Sequence, residues 1–232
     1  PCGVASDSSM IKSFIKAYQA DSISAFGGIV LFNRRINKNL SLLLKKYFFE
    51  IIVAPDFYKN SIKIFQEKKN LILIRSKNVN SNNKEFKSVV TGILFQNTNN
   101  FKITNKSIKL VSSKSASLRT VEDLLFAFKV AKHVKSNAIV LANNKQTLGI
   151  GAGQMSRFYS TRLALMKYKE YFSSKKFVCA SDGFFPFTDN IKLLKKNNCS
   201  AIIQPLGSKN DQKIINFAKK NKISLYFTKN RV

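Results

Sequence analysis

The sequence predicts an α/β protein, on three observations. Short apolar runs rich in Ile, Val and Phe alternate with stretches of helical periodicity along most of the 232 residues. An Asn/Ser/Lys-rich stretch, 97–119, separates two such series. Hydrophobic residues make up 44% of the chain, enough to bury a core. Apolar strands joined by helical crossovers imply parallel pairing within layered, mixed sheets. The expected division is a first domain over 1–117 and a second over 118–232.

The elements follow in order. Residues 8–20 place Met10, Phe14 and Tyr18 four apart with Ile11 and Ile15 beside them, one apolar stripe of a helix behind a Ser cap. GGIVLFN (27–33) reads as a buried strand, followed by a helix over 38–48, the strand EIIVA (50–54), a helix over 57–68 and the strand LILIR (71–75). Residues 76–85 form a polar loop, VVTGILFQ (89–96) a strand, and 97–119 a loop. The second series opens with a helix over 120–134, where Thr120 and Asp123 stand at capping-box spacing. A hairpin, NAIVLA-NNKQ-TLGIGAG, leads to a helix over 154–172, and FVCAS, a helix over 189–198, AIIQP, a helix over 210–221 and ISLYFT complete the chain.

Composition excludes several classes. No apolar run approaches the roughly 20 residues of a membrane span, and PCGVASDSS has no basic region followed by an apolar stretch, so the expected location is the cytoplasm with no membrane partner. Three cysteines (Cys2, Cys179, Cys199) and one histidine support neither a disulfide framework nor a zinc site. The net charge of +28 invites a nucleic-acid reading. Yet 33 of the 40 basic residues are lysines spread along the whole chain, without the concentrated arginines and interleaved aromatics of a dedicated nucleic-acid surface. A solvated lysine surface is the expectation. Beginning on Pro1 without an initiator Met, the sequence reads as a piece of something longer.

Two stretches carry candidate chemistry. In GIGAGQMSR (149–157) glycines stand between a strand and a helix whose free N–H groups suit an anion, and Arg157 in the first helical turn adds a guanidinium fork. It is neither a Walker loop nor a dinucleotide fingerprint, and glycines at a strand-to-helix turn more often serve backbone geometry than a ligand. In CASDGFFPFTDN (179–190) three phenylalanines around Pro186, flanked by Asp182 and Asp189, would give an apolar slab rimmed by carboxylates, suited to a heteroaromatic ring with exchangeable N–H groups. The alternative is core Phe with Asp189 as a helix cap. Ser136 and Asn137 offer an amide or a C-cap. His133 reads as a structural residue of its helix rather than a general base.

These segments in this order, with PCGVA at the start, SAFGGIVLFN, EIIVAP, LRTVEDLLFAFKVAKHVKSNAIVLA, QTLGIGAGQMSR, ASDGFFPFTDN, AIIQPLGS and the terminal TKNR, resemble the transformylase portion of the bifunctional purine-biosynthesis enzyme, AICAR formyltransferase joined to IMP cyclohydrolase. The resemblance covers essentially the whole chain. It implies two cytidine-deaminase-like α/β subdomains without zinc, no metal requirement, and a homodimer with sites shared between subunits. It implies transfer of a formyl group from the cosubstrate 10-formyltetrahydrofolate to the 5-amino group of AICAR, giving FAICAR. By motif match, Asn137, Arg157, Phe184 and Arg231 would contact the AICAR nucleotide, and Phe158, Asp189, Ser208 and Lys209 would face the folate. The catalytic residues stay unassigned, because the family's Lys-His pair lies upstream of the PCG-type motif. The polypeptide by itself is therefore expected to have little or no transformylase activity. Two rival readings stand beside this one: a basic module for RNA or another polyanion, and a decayed, inactive fragment.

Overall fold

The computed structural model describes residues 1–77, 84–173 and 175–232. They form two compact units, one of Pro1–Ser22 with Ile103–Val232 and one of Ile23–Lys102. The 117/118 junction lies inside the larger unit, which also takes in the first 22 residues. The architecture is α/β in both. Among the described residues no helix is long and apolar enough to cross a membrane.

The first helix, α1 (Met10–Gln19), is capped by Ser9 and buries Phe14. It belongs to the larger unit, where Gln146 donates a side-chain hydrogen bond to the Lys16 carbonyl at 2.9 Å. Just before it, the Thr147 N–H donates to the Val4 carbonyl at 2.9 Å and the Val4 N–H to the Thr147 hydroxyl at 2.9 Å. Residues far apart in sequence thus extend one sheet edge.

The smaller unit runs β1 (Gly28–Leu31), α2 (Lys38–Leu44), β2 (Phe49–Ala54), α3 (Lys59–Phe65), β3 (Ile72–Arg75), with a parallel sheet in the order β1-β2-β3. Asn37 caps α2 by accepting from the Leu40 N–H at 3.0 Å. Leu40, Leu44, Ile52 and Phe65 are buried. Register places Ile29 beside Ile51 and Ile51 beside Ile72, and likewise Leu31, Val53 and Ile74 in a row. The outer members of those rows, Ile29 (66% exposed), Leu31 (71%), Ile72 (55%) and Ile74 (41%), lie open to solvent. The expectation of a fully buried strand at 27–33 is corrected here. A continuous apolar run reports that both faces are apolar, not that both are covered.

Two strands, β4 (Lys84–Val89) and β5 (Gly92–Asn97), then form an antiparallel hairpin around Val90 and Thr91. This replaces the single strand expected over 89–96, and most of the loop expected over 76–85 falls on 78–83, outside the described residues.

The larger unit continues with β6 (Ile108–Leu110), α4 (Leu118–Ala131), β7 (Ile139–Asn143), β8 (Gln146–Gly151), α5 (Arg157–Phe172), β9 (Phe177–Ser181), α6 (Asp189–Lys196), β10 (Cys199–Pro205), α7 (Asp211–Lys220) and β11 (Ser224–Thr228). Its six-stranded sheet has the order β6-β11-β10-β9-β7-β8. Strands β9, β10 and β11 are mutually parallel, while β6, β7 and β8 each join antiparallel. The strand β6 lies inside the stretch expected to be a loop; three residues are too few to show a period.

The helix α4 starts two residues earlier than expected, because Ser117 is its cap and accepts from the Thr120 N–H at 3.3 Å. Asp123 takes no part in a capping box. Its two oxygens accept the N–H groups of Asn144 and Lys145 at 2.9 and 2.8 Å. Those residues have φ of +50° and +53°, the two-residue hairpin turn whose twist matches the flanking strands. Likewise Ser156 caps α5, so that helix starts at Arg157 rather than at residue 154.

Alternate strand residues Ile139, Leu141, Cys179, Ile202 and Leu225 join Leu165 and Tyr168 of α5, Ile191 and Leu194 of α6, and Ile214 of α7 in the main core. Helix α5 lies on β8 unusually closely. A Cβ added at Gly149 would stand 2.1 Å from the Ala164 carbonyl oxygen, and one at Gly151 would stand 1.8 Å from that of Ser160. Both obstacles are backbone, so the helix itself would have to retreat. We expect Gly151→Ala to lower the unfolding free energy by about 1–3 kcal/mol through overpacking. Denaturant titration checks this, and an unchanged midpoint would show that α5 can shift without cost.

Candidate functional site

Parallel strands β9, β10 and β11 end at one edge of the sheet, where open α/β sheets hold their ligands. The two candidate motifs meet there. Arg157, the first residue of α5, donates from Nη2 to Oδ1 of Asp182, one residue beyond β9, at 3.0 Å. The arginine side chain is 23% exposed and the aspartate side chain 4%. The guanidinium lies across the next residue: a Cβ at Gly183 would come within 2.2 Å of Nη2 and 2.6 Å of Cζ. Gly183 therefore meets a close-approach requirement that sequence reading assigned only to the glycine turn.

That turn has another purpose. Gly149 and Gly151 clear space for the backbone of α5, and Gly153, at φ +68°, donates its N–H to the Lys135 carbonyl at 2.8 Å. Of the two explanations open for these glycines, helix packing and turn geometry account for all three.

Asn137 stands where β7 begins, with its amide donating to the Gln154 carbonyl at 2.8 Å and its own carbonyl accepting from the Ser160 hydroxyl at 2.8 Å. Ser136 donates to Oδ2 of Asp182 at 2.5 Å. Both Asp182 oxygens are thus engaged. Asp182 is not an open rim carboxylate.

The phenylalanines do not form one slab. Phe185 is fully buried in the core, its N–H donating to the Gln204 side-chain oxygen at 3.3 Å. Phe187 is 63% exposed. Phe184 is half-buried, and the Arg231 guanidinium carbon lies 4.8 Å from its ring centroid, within cation–π range. Phe185 and Phe187 are two residues apart, so the split follows the bends of the chain around Pro186 and not a strand's alternation.

Asp189 is the first residue of α6, and its Oδ1 accepts the Asn190 N–H at 2.7 Å. Ser208 accepts the Asn210 N–H at 3.1 Å in the loop after β10, where Lys209 is exposed. Phe158 is half-buried with its ring 6.0 Å from that of Tyr159. Arg157 meets Asp182, Arg231 meets Phe184 two residues further on, and Asn137 adjoins Ser136, the second partner of Asp182, while Phe158 packs beside Tyr159. His133 lies in the turn after α4, exposed, rather than within the helix as expected.

Three residues escaped sequence reading. Asn210 donates to the Pro186 carbonyl at 2.9 Å and ties the loop after β10 to the loop after β9. Ser181 donates to the Gly183 carbonyl at 2.6 Å and closes the turn beneath the guanidinium. Gln204, wholly buried, holds Phe185. A glutamine inside the apolar run AIIQP was the one available signal, because a buried amide needs partners.

Burial pushes the Cys199 thiol up to about 12 and the Cys179 thiol well above its ordinary value, so neither is a thiolate near neutrality. Among the described residues no group of three or more His, Cys, Asp or Glu could hold a metal ion.

Comparison with known proteins places the chain in a family. Residues 1–167 match the family described as AICARFT/IMPCHase bienzyme. Over 231 residues, the whole of this chain, it is 46% identical to the bifunctional purine biosynthesis protein PurH of Fusobacterium nucleatum subsp. nucleatum, covering 45% of that protein. The PurH of Prochlorococcus marinus is 44% identical over all of this chain, which covers 45% of it. For the PurH of a Thermoanaerobacter species the identity is 41%, over 98% of this chain and 44% of the relative. The chain thus spans a little under half the length of these relatives. On these matches, the chain belongs to the AICARFT/IMPCHase bienzyme family.

Proposed function

We propose that this chain forms the part of the bienzyme that transfers a formyl group from 10-formyltetrahydrofolate to the 5-amino group of AICAR, giving FAICAR. The observation that carries the reading is the 3.0 Å contact between Arg157 and Asp182, which joins the chain's two most specific motifs in one site. Asn137, Arg157, Phe184 and Arg231 take the nucleotide, and Phe158, Asp189, Ser208 and Lys209 face the folate. In support, Arg157 has only one of its N–H donors engaged by Asp182, leaving fork donors for an anionic or carboxamide group. Phe184 keeps part of its ring accessible beside the cationic Arg231, a suitable surface for an electron-poor heterocycle.

An aromatic amine is a poor nucleophile. The site must bring it against the formyl carbon, take its proton as the new C–N bond forms, and stabilise the tetrahedral oxyanion before the bond to the folate nitrogen breaks. The residues on this chain bind and orient. The resemblance assigns proton transfer to a Lys-His pair preceding the PCG-type motif, here Pro1-Cys2-Gly3.

Thermal unfolding with AICAR tests the assignment. At a ligand concentration 100 times Kd, binding to the native state adds about 2.7 kcal/mol of stability. Phe184→Ala and Arg157→Lys, which keeps the charge but not the fork, should each remove most of that shift. The net charge of +28 favours a second reading, a polyanion-binding module. Salt-sensitive RNA binding that survives both substitutions, with no response to AICAR, would establish it instead.

A homodimer is proposed as well. It is supported by the open apolar face of Ile29, Leu31, Ile72 and Ile74, since monomers rarely leave such patches uncovered. Light scattering should give twice the chain mass, reduced to one by Leu31→Lys. A wild-type monomer sinks this proposal.

A further inference from the structure

We propose that Ser136, Asp182 and Arg157 act as one positioning unit, in which Asp182 aims the guanidinium and Ser136 aims Asp182. This rests on the assignment of Arg157 to the nucleotide. Asp182 has a side chain 4% exposed, and each of its oxygens has a different partner: Oδ1 accepts from Arg157 at 3.0 Å, Oδ2 from Ser136 at 2.5 Å. It does not reach a ligand itself. Its backbone is fixed too, the N–H donating to the Ala138 carbonyl at 3.2 Å. The guanidinium is confined on a second side by the bare backbone of Gly183, where a Cβ would come within 2.2 Å. Its Nε is buried without a hydrogen-bond partner among the described residues, so the ionic contact at Nη2 carries the aim.

Stability explains the arrangement poorly. A buried ion pair recovers little more than its own desolvation, and apolar residues of similar volume often serve as well. Orientation explains it better, because a fork recognises an anion only from a fixed plane. Ser136 extends the constraint to its neighbour. Asn137 follows it directly and is held by Gln154 and Ser160, so the amide and the guanidinium are presented at a set separation on one frame.

The test uses the full-length protein. By calorimetry with AICAR, Asp182→Asn should weaken binding about 10-fold or more and Ser136→Ala a few-fold, while adding Asp182→Asn to Arg157→Ala should cause no further loss. Additive losses, or wild-type affinity in folded Asp182→Asn, overturn the proposal. A second readout needs no ligand: arginine side-chain 15N relaxation should show the Arg157 guanidinium ordered in the wild type and mobile in Asp182→Asn. Unchanged order overturns the positioning unit. Absence of AICAR binding by the wild type, with order lost in Asp182→Asn, overturns the nucleotide assignment alone.

Discussion

The close approach of α5 to β8 is the constraint on which the site depends. Two strand positions without side chains let the helix backbone come down onto the sheet at Ser160 and Ala164. With those contacts fixed, the helix cannot slide along its axis, and its capped start at Ser156 fixes where Arg157 leaves the backbone. The guanidinium then crosses Gly183, the position after β9 that leaves room for it. Three glycines in two distant motifs serve one geometric end, the placement of a single rigid cation. Thr161 extends the constraint by donating to Asn190 at 2.8 Å, joining α5 to the buried first turn of α6.

The same edge is fixed from the other strands. Loops after parallel strands ordinarily vary most and move most. Here Ser181, Gln204 and Asn210 cross-link them through backbone groups, so that the segment 183–186 is gripped from its own turn, from β10 and from the loop after it. Such bonds to the main chain hold position whatever the neighbouring side chains are. Beside this gripped segment the Arg231 guanidinium lies over the half-buried ring of Phe184. Preorganised donors beside a partly accessible aromatic ring suit a ligand with one charged end and one flat end.

How much of this was legible depended on the kind of physics involved. Most of the order of helices and strands followed from apolar runs and periodicity, which are local properties, but β6 and the β4–β5 pairing did not. The meeting of GIGAGQMSR with SDGFFPF was readable only through the resemblance, since nothing within either segment refers to the other. Glycine signalled a close approach correctly but not its author: at Gly149 and Gly151 a helix comes near, and at Gly183 a guanidinium does. Thr120 and Asp123 had capping-box spacing, yet Ser117 stood one turn earlier and Asp123 had a stronger use, two backbone N–H groups of a turn with positive φ. The pairing of residues 4–6 with β8 was invisible, being a contact across more than 130 residues. In the smaller unit, aliphatic strands gave no hint that Ile29 and Leu31 lie open.

The charge imbalance sharpens the meaning of the few acids. Of 232 residues only 12 are Asp or Glu, against 40 Lys or Arg. A surface lysine adds little for or against folding, so its number can rise without structural consequence. A buried carboxylate is different: unless paired, it carries a desolvation penalty of several kcal/mol. Among the described residues three carboxylates are buried, Asp21, Asp123 and Asp182, and each has its partner: Lys167, the two N–H groups of the hairpin turn, and Arg157 with Ser136. Asp21 joins the N-terminal segment to α5, and Asp123 fixes the turn that leads into β8. Both act on the β8–α5 pair, the one whose packing delivers Arg157 to Asp182. The buried negative charge of this very basic chain is thus concentrated on the placement of one arginine, which is hard to account for if that arginine were only another surface cation.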